Sequence, residues 1–581
     1  MAAIDPRRSP VSGSNRPKSV VGYGLLPITD RPESKQNGLS GRQVNLTGVN
    51  EKQPLMSGCS DCDTVLLSVS EEPQMIIDDI VAKIDEGGPS SYFSFETFIL
   101  NLLKHHLALQ NKTLLISEGQ DYPGDALAPE GIDDFEGPVV FEIKFNLERS
   151  RKKFHDSYLS RFISHNKNNY PEAKPKNLIV ISARPLSKEF RSAMPIAVGS
   201  SSSNYVKITY WGPEEINKII SQHRAKTSEI VKNLFSLRIE AAVTKTASSW
   251  RAERARITVK LKESYNRGQF TLFLGAGVSS SAGMPSWDNL LNSLFVAYLT
   301  QEFDKDKAID GSDISELVGR LNKVSESSAL MGARYLRKGF VGSSAETQNF
   351  VDAITRSLYE LRNKDLAIDS RLLRAIAATC MPRRTGARVR SVVNYNFDDL
   401  LEKQLTKTGI THRSVYTETE VYDPDELPVY HVHGFLPEDR SKYSALENST
   451  LVFSEEGYHH IYTNAYHWSN LVQLNCLREN SCLMIGLSMT DPNLRRLMDI
   501  SARSLEQNKH FAFMKRLSID DFCYDITESG KKAAIRNIDG AKKFLDTHHA
   551  LNEALMRELG VTVLWYEGYD EIPEILEGLT K

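Results

Sequence analysis

The stretch FTLFLGAGVSSSAGMPSWDNLL, residues 270–291, decides the fold. Phe270 to Leu274 is a short apolar run bounded by glycine, which predicts a buried parallel strand. Gly275, Ala276 and Gly277 follow, then small residues, then Pro285, Ser286, Trp287 and Asp288 ahead of a helix-periodic segment. A strand, a glycine turn and a helix bring backbone N–H groups close to a nucleotide phosphate. Glycine at 275 and 277 removes the side chains that would block that approach. A tight turn between strand and helix has the same signature without any ligand, so the stretches that follow must decide.

Three later segments have the same form of a strand with a polar end. VRSVVNYNFDDLLE, residues 389–402, is a strand that ends around Asn394, Asn396 and Asp398 and enters a helix. LPVYHVHGF, residues 427–435, is a strand ending in His433 and Gly434. SCLMIGLSMTDPN, residues 481–493, is a strand, a Gly486 turn and a polar cap holding Ser488 and Asp491. A last strand, Val561 to Trp565, and a helix from Ile572 close the chain. Polar clusters at the C-terminal ends of parallel strands are where open α/β sheets bind ligands. Taken singly each has a plainer reading. Asp398 or Asp399 suits a helix cap, and a lone histidine is commonly a core residue.

The ordered set GAGVS…AGMPSW, NYNFD, VHG and Gly486-x-Ser488 resembles the sirtuin family over residues 265–581, and in particular the divergent bacterial branch associated with anti-phage defence. Asn394 stands where that family has threonine. The resemblance implies a Rossmann-like parallel sheet that binds NAD+. It implies that Gly275, Ala276 and Gly277 receive the pyrophosphate, with Ser279, Pro285 and Trp287 in the same loop. Gly486, Ser488 and Asp491 would border the adenosine side. Asn396 would orient the ribose or an attacking water, Asp398 would hold the nicotinamide end or its loop, and His433 would act as general base. Protein-deacylating sirtuins carry two CxxC pairs after the catalytic histidine. Between His433 and Gly486 this chain has only Cys476 and Cys482, with five residues between them, so no zinc module is expected. NAD+ cleavage itself passes through an oxocarbenium-like state and needs no zinc.

Upstream, alternating strands and helices over residues 76–224 predict a smaller α/β domain. Glu142 and Lys144 are two apart on the apolar strand VVFEIKF, so they leave it on one face. With Asp133 on a preceding turn and Glu96 on a helix, they resemble Mrr-like PD-(D/E)xK restriction endonucleases. That resemblance implies Mg2+ at Asp133 and Glu142 and nucleic acid as partner. Asp121, Asp125 and Asp134 lie in the same loop region and leave the first acid open. A strand-borne Glu–Lys salt bridge is the plainer reading.

Residues 1–75, rich in Ser, Gly, Pro, Asn and Arg, predict a disordered or flexible arm, and residues 225–264 a helical connector. Cys59 and Cys62 form a CxxC with no second pair at zinc-finger spacing. His459, His460 and His467 have no acid-plus-His spacing of the HExxH kind and read as a helix face. A net charge of −3 gives no global pull toward nucleic acid or membrane, and no apolar run approaches a membrane span. Six cysteines in 581 residues do not make a disulfide framework, which fits a reducing cytoplasm. No GxxxxGK[ST] occurs, so no ATP-driven motor is expected.

The expectation is a cytoplasmic NAD+ glycohydrolase acting as an abortive-infection effector. It would be a homo-oligomer restrained by a regulatory partner or released by a phage-derived trigger. Two readings stand beside it. One is a nuclease effector whose sirtuin-like half senses NAD+ or ADP-ribose. The other is an NAD-dependent protein deacylase or ADP-ribosyltransferase.

Overall fold

The computed structural model describes residues 76–581 apart from 86, 117–123, 150–153, 160–161, 163–174, 199–204, 287–288, 292–293, 295–343, 454, 506 and 528–529. The predicted N-terminal arm, the Cys59–Cys62 pair and Trp287 lie outside the described residues.

Seven parallel strands form the larger sheet. Their spatial order is His412–Val415, Leu427–His431, Val389–Asn394, Phe270–Leu274, Ser481–Ile485, His510–Lys515 and Val561–Tyr566. Five of these are the strands expected from sequence. His412–Val415 and His510–Lys515 are additions. The first is an edge strand, HRSV, whose polar half never makes an apolar run. The second, HFAFMK, is short and fills the place between Ser481–Ile485 and Val561–Tyr566.

Phe270–Leu274 is buried at every residue. Leu272 and Leu274 enter one apolar cluster with Val392, Leu483 and Leu564, while Phe273 enters another with Val393, Met484 and Trp565. Alternate residues therefore feed cores on both faces, as a strand covered by helices on both sides requires. The same strand is flanked by Val389–Asn394 on one side and Ser481–Ile485 on the other. The chain thus leaves its first strand in one direction and later returns to its opposite edge. That reversal opens a crevice at the strand's C-terminal end.

A second, six-stranded sheet holds Leu115–Ile116, Ala126–Ala128, Val139–Lys144, Asn177–Ser182, Val206–Trp211 and Ala197–Val198, in that spatial order. Its three longest strands are parallel. Helix Gly88–Leu109 packs its apolar residues Phe95, Phe98, Leu102 and Leu103 into the core of this sheet.

Residues 224–266 hold two helices, Arg224–Lys232 and Leu234–Asn266, the second of 33 residues and about 50 Å. Arg238 reaches both ways, donating to the Ser94 hydroxyl at 3.2 Å and to Glu558 at 2.7 Å. Further along, Arg251 pairs with Glu567 at 2.5 Å, Arg254 pairs with Glu571, and Trp250 stacks under Arg251, Arg254 and Arg516. At the helix 88–109 start, Gly88 has φ +69°, and a Cβ there would stand 2.4 Å from the Ala502 carbonyl. Only glycine lets this helix end approach helix Pro492–Ala502 so closely. Among the described residues no helix is long and apolar enough to cross a membrane.

Candidate active site

Register brings the four sequence segments to one edge. Leu274 is level with Asn394 on one side and Ile485 on the other, and Asn394 is level with His431. At roughly 4.8 Å between strands, the four ends span about 15 Å. The loops that leave them hold Gly275–Gly277, Asn396–Asp398, His433–Gly434 and Gly486–Asp491.

The glycine turn docks on its neighbour. Gly275 N–H donates to the Ile485 carbonyl and Gly277 N–H to the Gly486 carbonyl, both at 2.9 Å. A Cβ on Gly275 would meet the Gly486 carbonyl at 2.6 Å, and one on Gly277 would meet Gly486 Cα at 2.8 Å. The glycines therefore permit loop-to-loop contact, and these two amides already have acceptors within the protein. Ala276 and Gly277 are exposed on the outer side of the turn, Ser279 is buried, and Pro285 is half-buried.

Gly486 has φ +68°, and a Cβ there would be 2.7 Å from Val278 N. Gly486→Ala combines a left-handed backbone with a backbone collision. It is expected to destabilise the protein by about 2–4 kcal/mol, read as a lower denaturation midpoint. An unchanged midpoint would mean that the two loops are not packed together.

Asn396 is buried. Its side-chain amide donates to the Gly275 carbonyl at 3.0 Å, and its backbone N–H donates to the Asn394 side chain at 3.1 Å. Asn394, the departure from the family pattern, thus braces the residue two places on. Asp398 is buried too. It accepts the Leu400 amide at 3.2 Å and a hydrogen bond from Ser279, and burial pushes its carboxyl up to about 6. Asp399 stands at the start of helix Leu400–Thr408, but its carboxylate takes the Tyr359 hydroxyl at 3.0 Å and Lys403 at 2.9 Å.

His433 sits between two aromatic edges, Tyr395 at 4.6 Å and Tyr458 at 5.8 Å between ring centroids. Burial pushes its imidazole down, and Asp491 opposes that shift. Ser488 is exposed, 2.6 Å from the Thr490 hydroxyl. Asp491 lies beside His433, its Oδ2 3.7 Å from Nε2.

Several residues that sequence reasoning passed over support this edge. His431, fully buried, contacts the Asn396 carbonyl through Nδ1 at 3.2 Å and Glu402 through Nε2 at 2.6 Å. Tyr395 donates to Gln473, and Tyr458 donates to Asp491 at 2.5 Å. The signal for Glu402 was its place in the first turn of the helix that follows Asn396 and Asp398. Nothing in the sequence distinguished Tyr458 or Gln473. Cys476 and Cys482 are buried core residues whose thiols burial pushes up.

The N-terminal set is divided. Glu142 pairs with Lys144, and Lys144 lies under Tyr92 and Tyr158 at 5.7 and 5.9 Å. Burial and then Asp125 push the Glu142 carboxyl up to about 7, against the pull of Lys144. Glu96 acts on Lys144 through its charge. The expected acid, Asp133, is elsewhere. It accepts from Gln110 at 2.8 Å and pairs with His106 at 2.9 Å. Tyr92 bonds the Ile143 carbonyl near one end of helix Gly88–Leu109, and His106 is near the other. Fourteen residues of helix separate them by roughly 21 Å. Antiparallel register instead puts Ala126 opposite Phe141, so Asp125 comes beside Glu142 and accepts the Ile143 amide at 2.6 Å. Of the acids left open, Asp125 is the one beside Glu142, and Asp133 is not. Among the described residues no group of three or more His, Cys, Asp or Glu is arranged to hold a metal ion. The Mg2+ and endonuclease expectations gain no support from this arrangement.

Comparison with known proteins bears on the larger sheet. Residues 390–533 match the SIR2-like domain family. The match takes in Asn396, Asp398, His433, Gly486, Ser488 and Asp491. The chain is also 21% identical over 328 residues to the NAD(+) hydrolase ThsA of Enterococcus faecium. That alignment covers 55% of this chain and 57% of the relative, so the chain spans just over half the length of the curated protein it matches.

Proposed function

We propose that this chain is an NAD+ glycohydrolase, cleaving the nicotinamide–ribose bond and passing ADP-ribose to water. The observation that carries the reading is the common edge. Asn396 is bonded to the glycine turn, and His433 stands on the adjoining loop, at the switch point of a parallel sheet. The relative's printed name, NAD(+) hydrolase, supports the same chemistry.

In this reading NAD+ lies across the crevice between Phe270–Leu274 and Ser481–Ile485. Ala276, on the exposed side of the turn, faces the pyrophosphate, with Ser279 and Pro285 in the same loop. Asn396 orients the ribose or the incoming water. Asp398, anchored by Ser279, holds the loop at the nicotinamide end. His433 takes the proton of the attacking water. Its lowered basicity keeps it neutral, and so able to accept that proton, at physiological pH. Gly486 and Ser488 border the adenosine side. The reaction balances as NAD+ plus water giving nicotinamide, ADP-ribose and one proton.

Assignment to anti-phage defence, assembly as a homo-oligomer, a phage-derived trigger and a cytoplasmic setting belong to the same proposal. They rest on the likeness to defence-associated sirtuins.

The test is purified full-length protein with NAD+, followed by chromatographic quantitation of products. Equal molar release of nicotinamide and ADP-ribose is expected. Nicotinamide release with ADP-ribose attached to protein would replace hydrolysis by transfer. No consumption, with or without phage lysate, would remove the reading.

A further inference from the structure

The fold treats the two ring nitrogens of His433 differently. Nε2 is sealed from solvent and has no hydrogen-bond partner. A buried polar nitrogen without a partner is costly, and such atoms call for an explanation. The charged group nearest to it is the Asp491 carboxylate at 3.7 Å. That carboxylate is fixed at both oxygens. Oδ1 accepts the Leu494 amide at 2.7 Å and caps helix Pro492–Ala502. Oδ2 accepts the Tyr458 hydroxyl at 2.5 Å and is the oxygen that faces His433.

The supports of this arrangement come from four separate elements. Tyr395 follows strand Val389–Asn394 and is held by Gln473 of helix Trp468–Glu479. Tyr458 belongs to helix Glu455–Thr463. Asp491 ends the Gly486 loop, in which Met489 adopts φ +61° and its carbonyl accepts from Arg495 at 3.2 Å. A side chain other than glycine or asparagine in that backbone region stores strain of about 1–3 kcal/mol, and it persists only where its surroundings enforce it. The loop is therefore held in a conformation that delivers Asp491 to the histidine.

We propose that Asp491 is the positioning residue of His433, keeping Nε2 protonated so that Nδ1 is the basic atom, and stabilising the imidazolium once Nδ1 has taken a proton. The inference rests on the NAD+-cleaving reading and deepens it. As the water oxygen bonds to the ribose C1′, the C1′–N bond breaks and nicotinamide leaves with its electron pair. The water proton passes to Nδ1 and from there to solvent, so the histidine ends neutral as it began. Closure by under about 1 Å makes the 3.7 Å approach a hydrogen bond, a tightening typical of ligand-free catalytic pairs.

Among the described residues the ring meets Tyr395, Tyr458 and Asp491; the charge of Asp491 also acts on Tyr462, whose ring lies under Arg496 at 5.1 Å. Burial pushes the tyrosine hydroxyls at 395 and 458 up, so both stay neutral in the working range. Asp491 is thus the charge on which the imidazole's proton affinity depends. The plainer role for Asp491 is the helix cap alone. Asparagine caps a helix about as well as aspartate, so Asp491→Asn separates the two roles.

The experiment uses the full chain. NAD+ kinetics from about pH 5 to 9 are compared for the wild type and Asp491→Asn. In parallel, the His433 ring is titrated by NMR without ligand, its signal identified by its loss in His433→Gln. Asp491→Asn is expected to keep the denaturation midpoint and KM and to lower kcat about 10- to 100-fold. Loss of the carboxylate charge lowers the imidazole's proton affinity. The acid limb of kcat/KM and the His433 titration should therefore both move about one pH unit lower. Wild-type kcat with an unmoved titration would make Asp491 a cap only and overturn the proposal. So would a fall in activity that tracks a fall in midpoint with the titration unmoved. If the wild type releases no nicotinamide, the NAD+ reading fails on that assay. The titration then decides the pairing by itself, a downward move upholding it and none removing it.

Discussion

His433→Ala is expected to reduce nicotinamide release by about 10²–10⁴-fold, the range of a positioned acid–base group. Most of the loss should fall on kcat, because in the proposed reaction the imidazole acts on the proton that moves and not on the bulk of the dinucleotide. Stability should change little by comparison, since Nε2 makes no hydrogen bond in the folded protein. Asn396→Ala should match the loss in rate and add a cost in stability. Its amide donates to the Gly275 carbonyl at 3.0 Å, which also accepts the Val278 amide at 2.9 Å, so the variant loses one hydrogen bond at a cost of about 0.5–1.5 kcal/mol. The two variants thus separate by denaturation midpoint while agreeing in turnover. Turnover within twofold of wild type in either would take that residue out of the reaction.

The second large effect concerns a pair remote from any ligand. Glu402→Ala is expected to cost about 3–5 kcal/mol, because it leaves His431 buried without its counter-ion. A carbonyl only accepts, so Nδ1 of His431 carries a proton toward Asn396. The 2.6 Å contact of Nε2 with Glu402 then needs a second shared proton. Burial alone would raise the Glu402 carboxyl, but the charge and hydrogen bond of His431 outweigh it and hold the group below its usual range. A carboxylate so depressed contributes stability above its unfolded titration range and loses it as pH falls through the folded value. The wild type should therefore lose this increment on acidification, and Glu402→Ala should have none to lose. Glu402→Gln should be milder, since the amide can donate to a neutral Nε2. Urea midpoints for the three proteins at neutral and acid pH decide it. Equal midpoints at neutral pH would mean that the pair does not stabilise the fold. Because His431 also holds the Asn396 carbonyl, loss of the pair should loosen the strand edge that carries Asn396 along with the core.

Much of the larger sheet was legible in advance for a definite reason. A strand buried on both faces has to be apolar throughout, and FTLFL and SCLMI say so without reference to anything distant. The polar ends of the strands were legible because glycine, asparagine, histidine and aspartate interrupt those runs at their C-terminal side. His412–Val415 escaped notice because an edge strand needs only one apolar half. Asp133 misled because closeness in sequence to Glu142 says little about closeness in space. Antiparallel pairing fixed Asp125 at that position and carried Asp133 to the far end of helix Gly88–Leu109.

The sequence by itself determined the local forms: buried strands, glycine turns, caps and the residue types able to do the chemistry. It also determined their order along the chain. Tertiary structure alone decided which of them meet. Strand register set Leu274 level with Asn394 and Ile485. It turned two glycines from an expected phosphate cradle into a seat for the Gly486 loop. It brought Asp491 and Tyr458 to His433 from separate elements, and Glu402 to His431 beneath Asn396. The physical reason is that periodicity and propensity act over a few residues, whereas the pairing of buried polar groups depends on contacts between chain segments tens to hundreds of residues apart.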